Sequence, residues 1–260
     1  MTYCCGILVR DGMVMIADTR TNAGLDNIST FRKLNMFRNP GERVMALCSS
    51  GNLSISQSVV SMLNEGIENP EEGGVATLMN APTMFQAAQR IGEAIRRVHK
   101  IEGPALEASD VKFDVSFLFG GQIKGDKLRL YMIYSAGNFI ECTVDTPYLQ
   151  IGEHKYGKPI LDRAVRYGID IYDGLKIALL SMDSTLRSNL GVGMPIDIAV
   201  VRRDVCDAEL VYRIEPGDPY FHDLSERWSA ALRAAISPFP ARPTSRSADP
   251  RRLVYHRLTP

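Results

Sequence analysis

A threonine stands at position 2, directly behind Met1. Methionine followed by a small residue is normally trimmed, which would leave Thr2 with a free α-amine beside its own hydroxyl. That amine titrates near about pH 7.7–8.0 when unperturbed, so it can accept a proton at neutral pH while the hydroxyl attacks a carbonyl. Nucleophile and base carried by one residue suffice for amide hydrolysis by acyl transfer. Threonine behind an initiator is common, so the residues that could gather around it decide the matter.

Three further positions bear on it. The chain from Thr2 runs apolar to Val9, turns at Asp11-Gly12 and returns apolar to Ala17. A hairpin with that turn brings Asp18, in the run Ala17-Asp18-Thr19-Arg20, back beside the chain start. Lys33 opens the next apolar segment. A lysine at the base of a sheet and paired with a buried carboxylate stays charged, and it lowers the proton affinity of a nearby hydroxyl and amine. Finally, the segment Arg43–Ser49 ends in Ser50-Gly51 just before a helical period begins. Strand–glycine–helix junctions aim backbone N–H groups outward, which suits an oxyanion.

The elements that must hold these residues follow from periodicity. Tyr3–Val9, Met13–Ala17, Lys33–Phe37 and Arg43–Ser49 read as strands, the last two joined by a turn at Asn39-Pro40-Gly41-Glu42. Leu53, Ile55, Val59, Val60, Met62 and Leu63 then fall at helical spacing, with an end near Gly66. Glu71–Gly74 reads as a loop. Pro82 suits the first turn of a second helix, whose apolar stripe is Phe85, Ala88, Ile91, Ile95 and Val98. Strands are expected at Phe113–Phe119, Leu128–Tyr134 and Phe139–Val144, then helices at Lys158–Val165 and Gly174–Leu186. Strands at Ile196–Arg202 and Glu209–Ile214 follow. A helix over about Phe221–Ile236 carries Leu224, Trp228, Leu232 and Ile236 on one face. Strands and helices arrive in blocks, which points to antiparallel sheets with helices outside them, not to alternating βαβ units.

Several separated segments resemble proteasome β-type subunits, and among these the Anbu (ancestral β-subunit) family of bacteria. They are Met1-Thr2-Tyr3-Cys4, Asp18-Thr19-Arg20-Thr21-Asn22-Ala23-Gly24, Asp26 through Lys33, Ser50-Gly51-Asn52 with Ser56-Gln57, and Asp218-Pro219-Tyr220-Phe221. The resemblance spans about residues 2–236. It implies an α+β fold, the four-layer αββα sandwich of N-terminal-nucleophile hydrolases. It also implies assembly into a homo-oligomeric ring or open ring. The activity implied is threonine-type peptide or amide hydrolysis, with no cofactor or metal. Residue by residue, Thr2 Oγ attacks, its amine moves the proton, Lys33 supplies positive charge, Asp18 holds Lys33 and the Gly51 N–H binds the oxyanion. The Thr21 backbone pairs with an extended substrate, while Ser49 and Leu53 shape the first specificity pocket.

The sequence also departs from the family pattern. The Thr2–Lys33 spacing is one residue short, which fits a deletion near Gly24–Ser29. Asn138 follows Ala136-Gly137 where proteasomes carry serine. The Asp-x-x-Ser motif supporting the threonine amine is replaced, with Ser184 or Ser188 to stand in, and Ser188 is carried forward as the candidate.

Composition narrows the partners. With 30 basic and 30 acidic side chains the formal net charge is +0, so nothing global calls for nucleic acid or an anionic membrane. No apolar run approaches the roughly 20 residues of a membrane span, and the first dozen residues lack the pattern of a signal peptide. Five cysteines, an odd number without C-x-x-C spacing, read as free thiols in a reducing compartment, and a cytoplasmic location is expected. Cys4 and Cys5 should face opposite sides of one strand. Four histidines, no two close in sequence, give no support to a metal site or a Ser-His-Asp triad. Expected partners are other copies of the chain, a peptide or peptide-like amide and, where one exists, an unidentified regulator. Residues 237–260, rich in proline and arginine, read as a loosely docked tail after a 1–236 hydrolase domain. Two rival functions stay open: a small-amide (γ-glutamyl or peptide-like) amidohydrolase, and a catalytically silent ring scaffold.

Overall fold

The computed structural model describes residues 1–22, 28–69 and 74–237. The expected tail, the loop at 71–73 and most of the Gly24–Ser29 segment lie outside the described residues.

The chain begins with β1 (Tyr3–Val9) and β2 (Gly12–Asp18), joined by the expected Asp11-Gly12 turn. Every residue of both strands is buried, because each strand has an apolar layer on either face. A short hairpin, β3 (Arg20–Asn22) with β4 (Ile28–Thr30), follows. Then come β5 (Leu34–Asn39) and β6 (Arg43–Gly51), antiparallel across the Asn39–Glu42 turn. Lys33 therefore precedes β5 and does not lie within it. Helix α1 (Leu53–Glu65) starts on the Asn52 side chain, which accepts from the Ser54 N–H at 3.0 Å, and ends at Gly66.

After the small ribbon β7 (Ile67–Asn69) and β8 (Gly74–Ala76) comes α2 (Met84–Ala108), capped by Thr83. Pro82 thus lies before the cap and outside the first turn, and the helix continues well past Val98, through Pro104. Its buried stripe is Met84, Ala87, Ala88, Ile91, Ala94, Ile95 and Val98. Phe85 is 48% exposed, one position round from the stripe. The strands β9 (Val115–Ile123), β10 (Arg129–Ile133) and β11 (Phe139–Glu141) match the expected block. A further strand, β12 (Tyr148–Gly152), was not foreseen. Two helices follow, α3 (Lys158–Ala164) and α4 (Ile171–Ser188). Strands β13 (Ile196–Arg202) and β14 (Ala208–Ile214) and helix α5 (Pro219–Ile236) complete the described chain. On α5 the face expected to be covered is open at its far end, with Leu232 and Ile236 exposed.

The strands form two five-stranded antiparallel sheets, ordered β12-β1-β2-β13-β14 and β11-β10-β9-β6-β5. Period two sorts their side chains. On β1, Tyr3, Cys5, Ile7 and Val9 join α3 and α4 in one core, while Cys4 and Leu8 join the other sheet in a second core. Cys4 and Cys5 thus face opposite ways. On β6, Met45 and Leu47 meet α1 and α2 in a third core, while Val44, Ala46 and Cys48 turn toward the first sheet. Between the sheets, the Met13 sulfur occupies the place of a side chain at Gly120, where a Cβ would come within 2.3 Å of it. Among the described residues no helix is long and apolar enough to cross a membrane.

Candidate active site

The end of β2 and the start of β1 are neighbours, with Cys4 opposite Ala17. That register sets Asp18 beside the chain start. Asp18 is fully buried and receives four donors. Oδ1 accepts from Lys33 Nζ at 2.8 Å and from the Tyr3 N–H at 3.0 Å, while Oδ2 accepts from the N–H groups of Arg20 and Gly193, both at 3.2 Å. Burial pushes the carboxyl above its ordinary value, opposed by the Lys33 charge and the backbone donors.

Lys33 is 4% exposed and saturated with acceptors. Besides Asp18 it donates to Arg20 O at 2.6 Å and reaches Met1 O at 3.5 Å. Its own carbonyl accepts from the Ser49 N–H at 3.1 Å, which fixes the lysine against β6. The ammonium is thereby anchored between the two sheets and directed at the first peptide bond of the chain.

Thr2, 7% exposed, lies at this point together with a cavity of about 370 Å³ lined by Met1, Thr2, Thr21, Lys33, Ser49, Gly51, Leu53 and their neighbours. The Thr2 carbonyl is fixed by the Glu153 N–H at 2.7 Å, just past the strand β12 that zips onto β1. Gly51 ends β6 at φ +105, and a Cβ there would sit 2.3 Å from Asp114 O, so only glycine fits. Along β6 the Ser49 N–H points toward Lys33. Alternation directs the Gly51 N–H to the same side, where β5 has not yet begun and the cavity opens. The N-terminus of α1 borders the cavity through Asn52 and Leu53, adding positive potential to that of Lys33. A site with this wall of donors favours an oxygen that gains negative charge.

Of the eight residues singled out from sequence, seven converge here: Thr2, Thr21, Lys33, Ser49, Gly51 and Leu53 line the cavity, and Asp18 lies beneath it. Ser188 does not. It is exposed at the end of α4 and does not line the cavity. The next residue, Asn189, takes the nearer place, because the chain leaves the helix there and folds back over the N-terminus. Its Nδ2 donates to Glu153 Oε2 at 2.9 Å and lies 4.0 Å from Met1 Sδ.

Sequence reasoning missed Glu153, Asn189 and Gly193, which come from a strand end and a loop far along the chain; the run Asn189 to Pro195, with its two glycines, was the one available signal. It also missed Ser56, a buried cavity residue whose hydroxyl donates to Leu53 O at 2.9 Å. The cysteines stay out of the chemistry. All five are buried and unbridged. Burial pushes the Cys5 and Cys48 thiols up and brings Cys142 to about 12, the opposite of an activated thiolate.

Comparison with known proteins returns no match among protein-family models or curated proteins. Solved structures do match. An Anbu (Gly-1) mutant from Hyphomicrobium sp. strain MC1 is 49% identical, with a TM-score of 0.84, over 93% of this chain and 99% of that one. Anbu (ancestral beta-subunit) from Yersinia bercovieri is 44% identical, with a TM-score of 0.84, over 94% and 100%. Anbu from Pseudomonas aeruginosa, described as a helical assembly of the Anbu complex, is 44% identical, with a TM-score of 0.86, over 93% and 98%. With near-complete coverage on both sides at that identity, the chain belongs to the Anbu family, the proteasome β-subunit-like group that its N-terminal motifs resemble.

Proposed function

We propose that the protein is a threonine-type N-terminal-nucleophile hydrolase that cleaves peptide or peptide-like amide bonds. The observation that carries this reading is the buried Lys33–Asp18 pair directly beneath Thr2, at the floor of a cavity that also receives Gly51. A silent scaffold has no use for a desolvated charge at that point.

Once Met1 is gone, Thr2 Oγ attacks the scissile carbonyl and the Thr2 amine takes the hydroxyl proton, directly or through one water. The Gly51 N–H receives the tetrahedral oxyanion. Collapse breaks the C–N bond, and the ammonium of Thr2 returns the proton to the leaving amine. Water then hydrolyses the acyl ester by the reverse proton path. Lys33 favours the deprotonated nucleophile, and Asp18 fixes the lysine. Thr21 offers backbone to an extended substrate, while Ser49 and Leu53 bound its first side chain.

The supporting fold is read as a four-layer αββα sandwich, which accounts for three apolar cores between successive layers, with 1–236 as the hydrolase unit and 237–260 as its tail. Self-assembly into a ring or open ring is inferred from the helical assembly described for the Pseudomonas relative. A cytoplasmic setting agrees with five free thiols.

The test is the intact mass of the protein before and after exposure to a threonine-directed epoxyketone. Loss of Met1 with one adduct on Thr2 is expected. A trimmed but unreactive Thr2 would overturn the reading.

A further inference from the structure

In the folded chain the Met1–Thr2 bond is clasped from several sides. Met1 O accepts from Lys33, Thr2 O accepts from the Glu153 N–H, and the Tyr3 N–H donates to Asp18. The methionine side chain lies on Gly191, where a Cβ would come within 2.6 Å of Met1 Cβ, and its sulfur faces Asn189. Met1 itself is 69% exposed, but Thr2 and Tyr3 are buried. An exopeptidase must seat the scissile carbonyl and the residues behind it against its own catalytic centre, so that segment has to be free of other pairing. Here it leads directly into β1, an interior strand that begins at Tyr3 and is bounded by β2 on one side and β12 on the other.

We propose that Met1 is excised only from the nascent or otherwise open chain, by a methionine-specific aminopeptidase, and that a chain which closes first keeps its methionine. In the reaction, water adds across the Met1–Thr2 amide. Methionine departs with the new carboxyl group, and the nitrogen stays on Thr2 as its α-amine.

The order of the sequence leaves time for this. The β1–β2 hairpin is local and can form early. Glu153, Asn189 and Gly191, which close the clasp, lie roughly 150 to 190 residues downstream. At about 5–20 residues per second, synthesis leaves roughly 10–40 s before they emerge. The fraction of chains with a free Thr2 amine is then set by a race between excision and closure.

The functional weight of this inference rests on Thr2 as nucleophile, but its test does not. Full-length protein made while methionine excision is inhibited is purified folded. One portion is given purified methionine aminopeptidase directly. A second is unfolded and diluted from denaturant into the same enzyme. Intact mass is followed in both. The refolding portion should lose one methionine, while the native portion loses it at least about 100-fold more slowly, since cleavage tracks the rare open form. Asn189→Ala, which removes one side of the clasp, should speed native trimming. Comparable rates in the two portions, or spontaneous loss from the native chain, overturn the proposal. Retention in both also overturns it, because the open chain is then no substrate. Epoxyketone labelling of the trimmed chain reports on Thr2 separately, so a trimmed but unlabelled protein counts against the nucleophile and leaves this inference standing.

Discussion

Lys33 Nζ and Asp18 Oδ1 lie 2.8 Å apart with both side chains withdrawn from solvent, and they belong to segments that enter the site from different sheets. Asp18 closes β2, and Lys33 immediately precedes β5. The pair is therefore both a structural rivet and the source of charge beneath Thr2.

Removing Lys33 leaves the Asp18 charge buried without compensation, which costs about 3–5 kcal/mol. Lys33→Ala should lower the melting temperature and abolish labelling of Thr2. The double variant Asp18→Asn with Lys33→Met buries no net charge. Thermal denaturation should show it recovering much of the lost stability, while epoxyketone labelling stays about 10²–10⁴-fold below the parent. Parent-like labelling in the double variant would remove Lys33 from the mechanism.

Acid should silence the site before it unfolds the protein. Burial raises Asp18 above the ordinary value of 3.8. As pH falls through that raised value, the folded state takes up a proton that the unfolded chain does not yet bind. The stability due to this group then rises with falling pH instead of dropping. Protonated Asp18 no longer fixes Lys33 by charge, so the labelling rate should fall while the melting temperature holds. Simultaneous loss of both would contradict the assignment.

At Gly51 the backbone φ of +105 and the nearby Asp114 carbonyl leave no place for a methyl group. Gly51→Ala should shift the strand end and carry the N–H away from the oxyanion position. A loss of about 10²–10³ in acylation rate is expected, with ground-state binding much less affected. Steady-state or labelling kinetics separate the two.

Ser188 and Asn189 differ by one position but should differ sharply in effect. Ser188→Ala touches an exposed helix end and should leave labelling within about twofold of the parent, as surface substitutions usually leave stability within about 0.5 kcal/mol. Asn189→Ala cuts the link to Glu153 and should slow the reaction of a trimmed Thr2. Equal effects from both would restore the serine as the amine's support.

Those two neighbours also mark the limit of what could be read from sequence. The hairpin that returns Asp18 to Thr2, the lysine before β5 and the Ser50-Gly51 junction are local, so turn chemistry and periodicity expose them. β12 carries only a short alternation between two turns, and it belongs to β1 solely because the tertiary fold zips it there, so Glu153 was invisible. Ser188 was put forward as a stand-in for the family's Asp-x-x-Ser motif, a likeness of residue type that says nothing about where the end of α4 lies relative to the cavity. Phe85 failed more locally: Ala88, Ile91, Ile95 and Val98 of the expected stripe are buried, but in the first turn of α2 the chain buries Met84 and leaves Phe85 48% exposed.

The chemistry is split across a seam. Thr2 and Asp18 ride on one sheet, and Ser49 and Gly51 on the other. The packing between the sheets therefore sets the distance between them. Met13 resting in the space at Gly120 acts as a shim that gauges this gap from deep inside the molecule. A methyl group added at Gly120 would displace the Met13 sulfur and press on the Arg129 carbonyl, 3.1 Å from the new Cβ, and so disturb the packing between the sheets that carry Thr2 and Gly51.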